Sequence, residues 1–194
     1  MGYFLKYGLP LMIVFLFSTA FKKQDSDQKL WDKNSPLSWE DFKKVDRPDY
    51  YGEGQGANTF VGELYRYRRL GKDSSSNVFE FQVQSVMVRS MSHVEPGYKT
   101  ASLLEHEQLH FDLSEYFARQ LLIAFKRGTY TKNFRSEIKD IRHTFSVQRD
   151  AMEKLYDKQT DHSRNNRMQL KWNSYVQLLL KDNVSIETAL KNLP

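Results

Sequence analysis

From Tyr98 to Arg127 the chain contains neither glycine nor proline, and Leu103, His106, His110, Leu113, Phe117, Leu121 and Ala124 recur at steps of three and four. That period predicts one helix from about Lys99 to Lys126, entered after the break at Glu95-Pro96-Gly97 and ended by Gly128. So long a helix presents an inward stripe that other elements must cover, and the rest of the chain is organised around it.

The two histidines on the stripe carry the chemistry. His106-Glu107-x-x-His110 is the two-histidine zinc motif of metallopeptidases. Residues four apart on a helix differ by about 40° around its axis, so both imidazoles can reach one ion. Two imidazoles and a carboxylate on an inward face need a charged partner to offset their loss of water, and a divalent metal meets that need. Glu107 lies too far round to ligate together with both histidines, but it is well placed to hold a water and take its proton.

A catalytic zinc takes three protein ligands and keeps one position for water, so the motif leaves one ligand to find. Glu115 follows His106 by nine residues, about 180° around the helix, and Asp112 fails for a similar reason. The remaining candidates are His93, His143, Glu153, Asp157 and His162. His143 falls on the polar side of its helix, and His93 follows a strand-like run. His162 stands at a junction between two predicted helices, from which a side chain can project across to the metal helix, and it is the expected third ligand. Asp157 or Asp161 would then accept the other N–H of a ligating imidazole.

At the front of the chain, Lys6 precedes an apolar run from Tyr7 to Phe17 and the small residues Ser18-Thr19-Ala20. This pattern predicts a signal peptide over residues 1–20, export to the periplasm or beyond, and cleavage after Ala20. The run is shorter than the ~20 residues a membrane span needs and contains Pro10, so no stable span is expected after cleavage. There is no cysteine, which excludes disulfides and a lipid-modified N-terminus and leaves His, Asp or Glu to hold a metal. The net charge of +5 comes from scattered Lys and Arg, including Arg66, Arg68 and Arg69, without a dense basic stripe interleaved with aromatics; nucleic acid is not an expected partner.

Residues 21–34 are polar and charged and read as a linker, with one domain over 35–194. In Leu37-Ser38-Trp39-Glu40-Asp41-Phe42, Ser38 can cap a short helix, Asp41 can reach back to it, and Leu37 and Phe42 can staple its start. Thr59 to Leu70 and Val78 to Val88 read as two strands joined by a loop of turn formers. Phe79, Phe81 and Val83 alternate on one face while Val86 and Val88 fall on the other, which suggests a bulge near Gln84-Ser85. Further helices are predicted from about Phe134 to Lys158 and Arg164 to Leu180, with one more short helix between Ser185 and Leu193. Strands early and helices late argue for an α+β domain with a small antiparallel sheet.

Three blocks in this order, Leu37-Ser38-Trp39-Glu40-Asp41-Phe42, then Leu104-x-His106-Glu107-Gln108-x-His110-Phe111-Asp112, then Tyr156-Asp157-x-x-Thr160-x-His162 with Gln169-x-x-Trp172, resemble the bacterial domain of unknown function 922 family, described as predicted secreted zinc-dependent proteases. The resemblance spans about Leu37 to Tyr175, and Ser163 departs from it where glycine is expected. It implies a zincin-like metallopeptidase with His106, His110 and Glu107 in the motif's roles. The expected reaction is hydrolysis of a peptide or protein substrate by a zinc-bound water, with Glu107 as general base. Gln84 to Val94 is the expected edge strand for that substrate. The alternative is a non-catalytic zinc-binding module of the cell envelope, which would have no need of Glu107 and would close its fourth coordination position.

Overall fold

The computed structural model describes residues 26–44, 56–70 and 77–194. The expected signal peptide and most of the two turn-rich segments lie outside them. Among the described residues, six strands precede four α-helices: β1 (Gln28–Leu30), β2 (Lys43–Lys44), β3 (Ala57–Asn58), β4 (Val61–Leu70), β5 (Val78–Val88), β6 (His93–Val94), α1 (Ala101–Arg127), α2 (Phe134–Thr160), α3 (Asn166–Asp182) and α4 (Ile186–Lys191). The fold is mixed α+β, with a small antiparallel sheet in the order β1-β5-β4, a second short sheet in the order β2-β6-β3, and three long helices. No helix among the described residues is long and apolar enough to cross a membrane.

β4 and β5 pair from Val61↔Met87 to Leu70↔Val78 in one unbroken register, so the bulge expected near Gln84-Ser85 is absent. The inward face of β5 continues through Phe81, Val83, Ser85 and Met87, and Ser85 takes an inward position although it is polar. Its hydroxyl donates to Ser114 Oγ on α1 at 2.9 Å, which satisfies both groups without solvent. A polar residue at a core position thus imitated a change of phase.

Two other expectations are corrected. Part of the stretch read as linker belongs to the domain: Gln28–Leu30 pairs antiparallel with β5, and Trp31 Nε1 donates to Asp112 Oδ1 of α1 at 2.8 Å. The buried carboxylate of Asp41 accepts from Lys29 Nζ at 2.9 Å, from the Ser38 N–H at 3.0 Å and from Arg89 Nη2 at 3.0 Å. This binds β1, the short 3-10 helix Trp39–Asp41 and the end of β5 together. Charge here marks paired side chains, which composition does not distinguish from solvated ones. Nor does Gln84 to Val94 form an edge, since β5 lies between β1 and β4, and β6 lies between β2 and β3. The strand end beside His106, Glu107 and His110 is β3.

α1 is the central element. Thr100 Oγ1 accepts the Leu103 N–H at 3.2 Å and caps its start. Leu103, Leu113, Phe117 and Leu121 are buried as the period required. One side of α1 packs on the sheet through Phe125 against Phe81, with ring centroids 4.9 Å apart. Another side meets α2 and α3 through Leu109, Leu113, Met152, Tyr156, Trp172 and Val176. Because α1 is enclosed on several sides, its polar residues at 106 and 107 lie in the interior of the molecule.

Candidate metal centre

His106 and Glu107 are 2% and 3% exposed, the burial expected of side chains that work in a cleft. α2 crosses α1 at this level. Tyr156 stacks on His106 with centroids 4.6 Å apart and meets His110 edge-on at 5.0 Å. One residue further, Asp157 turns its Oδ1 to both imidazoles, 3.2 Å from His106 Nε2 and 2.9 Å from His110 Nε2. The third imidazole, His162, has its Nδ1 3.8 Å from that same oxygen.

His162 reaches the cleft through an unusual turn. After α2 the backbone is left-handed at Asp161, His162 and Ser163 in succession, with φ of +49°, +48° and +74°. The turn is closed by Asn165 N–H to Thr160 O at 2.7 Å and His162 N–H to Asp157 O at 3.1 Å. Such angles cost a non-glycine residue about 1 kcal/mol or more each, and they return the chain over the cleft mouth.

Electrostatically, Asp157 and the imidazoles are coupled to one another. Burial alone would raise the Asp157 carboxyl, but hydrogen bonds to His106 and His110 outweigh it and hold the group far below the usual carboxylate range. Burial alone would lower His110, yet the Asp157 contact and nearby carboxylates raise it to about 9. Glu153, on the same wall, is pushed up to about 7, chiefly by burial. Donor atoms of His106, Asp157 and His162 all lie within 4.8 Å of one another, and His110 meets the same Asp157 oxygen. Imidazole nitrogens and a carboxylate at this spacing could hold a metal ion.

Deeper in the protein, Gln169 of α3 sets the orientation of His106. Its Oε1 lies 3.1 Å from His106 Nδ1 and accepts from Tyr156 Oη at 2.9 Å, while its Nε2 donates to Asn173 Oδ1 at 2.8 Å. Facing the Gln169 acceptor, Nδ1 of His106 is the donor there, and Nε2 is turned to Asp157 Oδ1 in the cleft. Glu107 is held from the other side, where Thr59 Oγ1 donates to its Oε2 at 2.5 Å. These groups enclose a cavity of about 230 Å³, walled by α1 and α2 and on its third side by Ala57, Asn58 and Thr59.

Of the residues singled out in the sequence, His106, Glu107, His110, Glu153, Asp157 and His162 meet at this cavity. His143 is exposed on α2. His93 is buried on β6 with its pKa lowered by burial, and it does not line the cavity. Asp112 points to Trp31 and Gln108, and Glu115 pairs with Arg119, as helical geometry required. Asp161 pairs with Arg164 at 2.9 Å, so the carboxylate beside the imidazoles is Asp157. Tyr156 is fully buried and its hydroxyl donates to Gln169 Oε1. The sequence places Gln169 only in the third block of the resemblance and Thr59 only at the start of a strand, neither in a role at the site. Gln169 had a signal, being a polar residue on the stripe of α3 shared with Trp172, Val176 and Leu179. Thr59 had none, because its role depends on the approach of a distant strand.

No family model, curated protein or solved structure matches the chain.

Proposed function

We propose that the chain is an exported, zinc-dependent peptidase of zincin-like type, in which His106 and His110 hold the metal together with His162 and Asp157. The observation that carries the reading is the convergence of both imidazole Nε2 atoms on one point, 3.2 and 2.9 Å from Asp157 Oδ1, in a cleft that Glu107 also lines. The resemblance in three ordered sequence blocks agrees with it. When bound, zinc supplies a Lewis acid for the substrate carbonyl and a water of lowered pKa.

The chain's own residues do the rest. Glu107 accepts the proton of the attacking water and delivers it to the leaving amine as the peptide bond breaks. Gln169 and Tyr156 fix the ring of His106, and the walls from α1, α2 and β3 limit the water around the reacting groups. A peptide reaching the centre passes the strand end 57–59.

A non-catalytic site is the competing reading, and one observation favours it: four donor residues face the point, enough to close the coordination shell. The two readings part on Glu107→Gln. For a peptidase, that variant keeps the wild-type zinc content and loses cleavage of a mixed peptide library by ~10² to 10⁴. A wild-type zinc protein that cleaves nothing would overturn the peptidase. Export is checked separately by sequencing the N-terminus of the protein from its host, which is expected to begin at Phe21.

A further inference from the structure

The strand end at the mouth of the cleft is built with more care than a cleft wall needs. Gly56 has φ +72° and lies so close to Tyr98 that a Cβ would meet its ring at 2.5 Å, so only glycine fits there. Its carbonyl accepts the Glu95 N–H at 2.8 Å. Ala57 and Asn58 then pair with Val94 and His93. Beyond Thr59, the Phe60 N–H donates to Ser92 Oγ at 2.9 Å, and the Phe60 carbonyl accepts the Val88 N–H at 2.9 Å. Ser92 is fully buried and its hydroxyl donates onward to Val88 O at 2.8 Å. Thr59 is therefore fixed by its neighbours on both sides, and its hydroxyl meets Glu107 Oε2 at 2.5 Å.

We propose that Thr59 is a positioning residue for Glu107, holding one carboxylate oxygen so that the other is kept for the attacking water. This rests on the peptidase reading above. A glutamate carboxylate turns easily about its last torsion. One charge-assisted hydrogen bond from a fixed backbone removes that freedom, and the orientation of a base governs rate far more than substrate binding.

Thr59→Val preserves shape and removes the donor, while Thr59→Ser keeps it. With zinc bound, Thr59→Val is expected to lower kcat by about 10- to 100-fold with KM and zinc content unchanged, and Thr59→Ser to stay within about threefold of wild type. In the metal-free chain, Thr59→Val is expected to lower Tm by about 2–4 °C in the wild-type background and not at all in a Glu107→Ala background. Additive Tm effects, an equal loss of kcat in Thr59→Ser, or loss of zinc in Thr59→Val would overturn the assignment. Absence of cleavage by the zinc-loaded wild type would overturn the peptidase reading, and any role of Thr59 in hydrolysis with it. The stability cycle, which needs no turnover, reports the Thr59–Glu107 contact either way.

Discussion

Gln169 Oε1 stands 3.1 Å from His106 Nδ1, joining the third long helix to the first at the point where the metal motif begins. The same oxygen accepts the Tyr156 hydroxyl of the second. Three helices thus share one acceptor, and the chain continues through Asn173 to Glu105, whose Oε1 accepts from Asn173 Nδ2 at 2.5 Å. The orientation of His106 is a property of this assembly and not of α1 alone.

Replacing that acceptor should therefore weaken the metal without touching a ligand. Gln169→Leu is expected to lower zinc affinity by about 10- to 100-fold, the usual cost of losing the partner of a ligating imidazole. Competition against a chromophoric chelator measures it. Affinity equal to wild type would show that Tyr156 stacking suffices to hold the ring.

The other proposed ligands can be ranked in the same assay. His162→Ala and Asp157→Ala are each expected to reduce zinc affinity by more than the ~10- to 100-fold that an outer partner is worth, and His143→Ala to leave it unchanged. A loss in Asp157→Ala with wild-type affinity in His162→Ala would leave His106, His110 and Asp157 as the set, with His162 a bystander at 3.8 Å from the carboxylate.

The parts of this protein legible in the sequence are those set by local periodicity. β5 spans Val78–Val88 as read, and the long helices begin and end within two residues of expectation, because their apolar spacing and the breakers at Gly97 and Gly128 are local signals. Strand order is not local, and the reading of Gln84 to Val94 as an edge failed for that reason. Polar residues with buried partners misled most: Ser85 imitated a bulge, and Lys29, whose partner is Asp41, read as part of a linker. At the site, the spacing of His106, Glu107 and His110 placed them on one buried face, and elimination led to His162. The insertion of Asp157 among the imidazoles depends on the crossing of α1 and α2, which neither helix encodes by itself.

Charge at that crossing makes the stability of the metal-free chain depend on pH. His110 is raised from 6.5 to about 9, so its stabilisation is complete below pH 6.5 and is lost as pH rises through 9. Asp157 is depressed, so its share is present above the ordinary carboxylate value of 3.8 and is lost only as pH falls below it. In the presence of a chelator, Tm is expected to fall between pH 6.5 and 9. With zinc bound, the imidazoles ligate in their neutral form, so that decline should vanish. A flat Tm in the metal-free chain over this range would count against the His110–Asp157 pair.

The carboxylate of Asp41 is the corresponding test for the N-terminal strand. It is 6% exposed and meets both Lys29 and Arg89. Removing Asp41 takes the counter-charge from both cations, which keep only backbone acceptors, so Asp41→Ala is expected to cost about 1–3 kcal/mol in urea denaturation. A change below ~1 kcal/mol would mean that the contacts of Asp41 with Lys29 and Arg89 add little to the stability of the domain.

The turn that carries His162 provides the last prediction. Ser163 has φ +74°, following two other non-glycine residues with positive φ. A side chain there crowds the following carbonyl, whereas glycine adopts the angle freely. Glycine also adds entropy to the unfolded chain, which cancels part of the gain. Ser163→Gly is therefore expected to stabilise the metal-free protein by about 0.5–1 kcal/mol, a rise of ~1–4 °C in Tm. Zinc affinity should stay within about threefold of wild type, since the turn is still closed by Asn165 N–H to Thr160 O at 2.7 Å. A lower Tm would show that this backbone is held without strain. A stabilised variant with weakened zinc binding would show instead that the strain itself keeps His162 over the cleft.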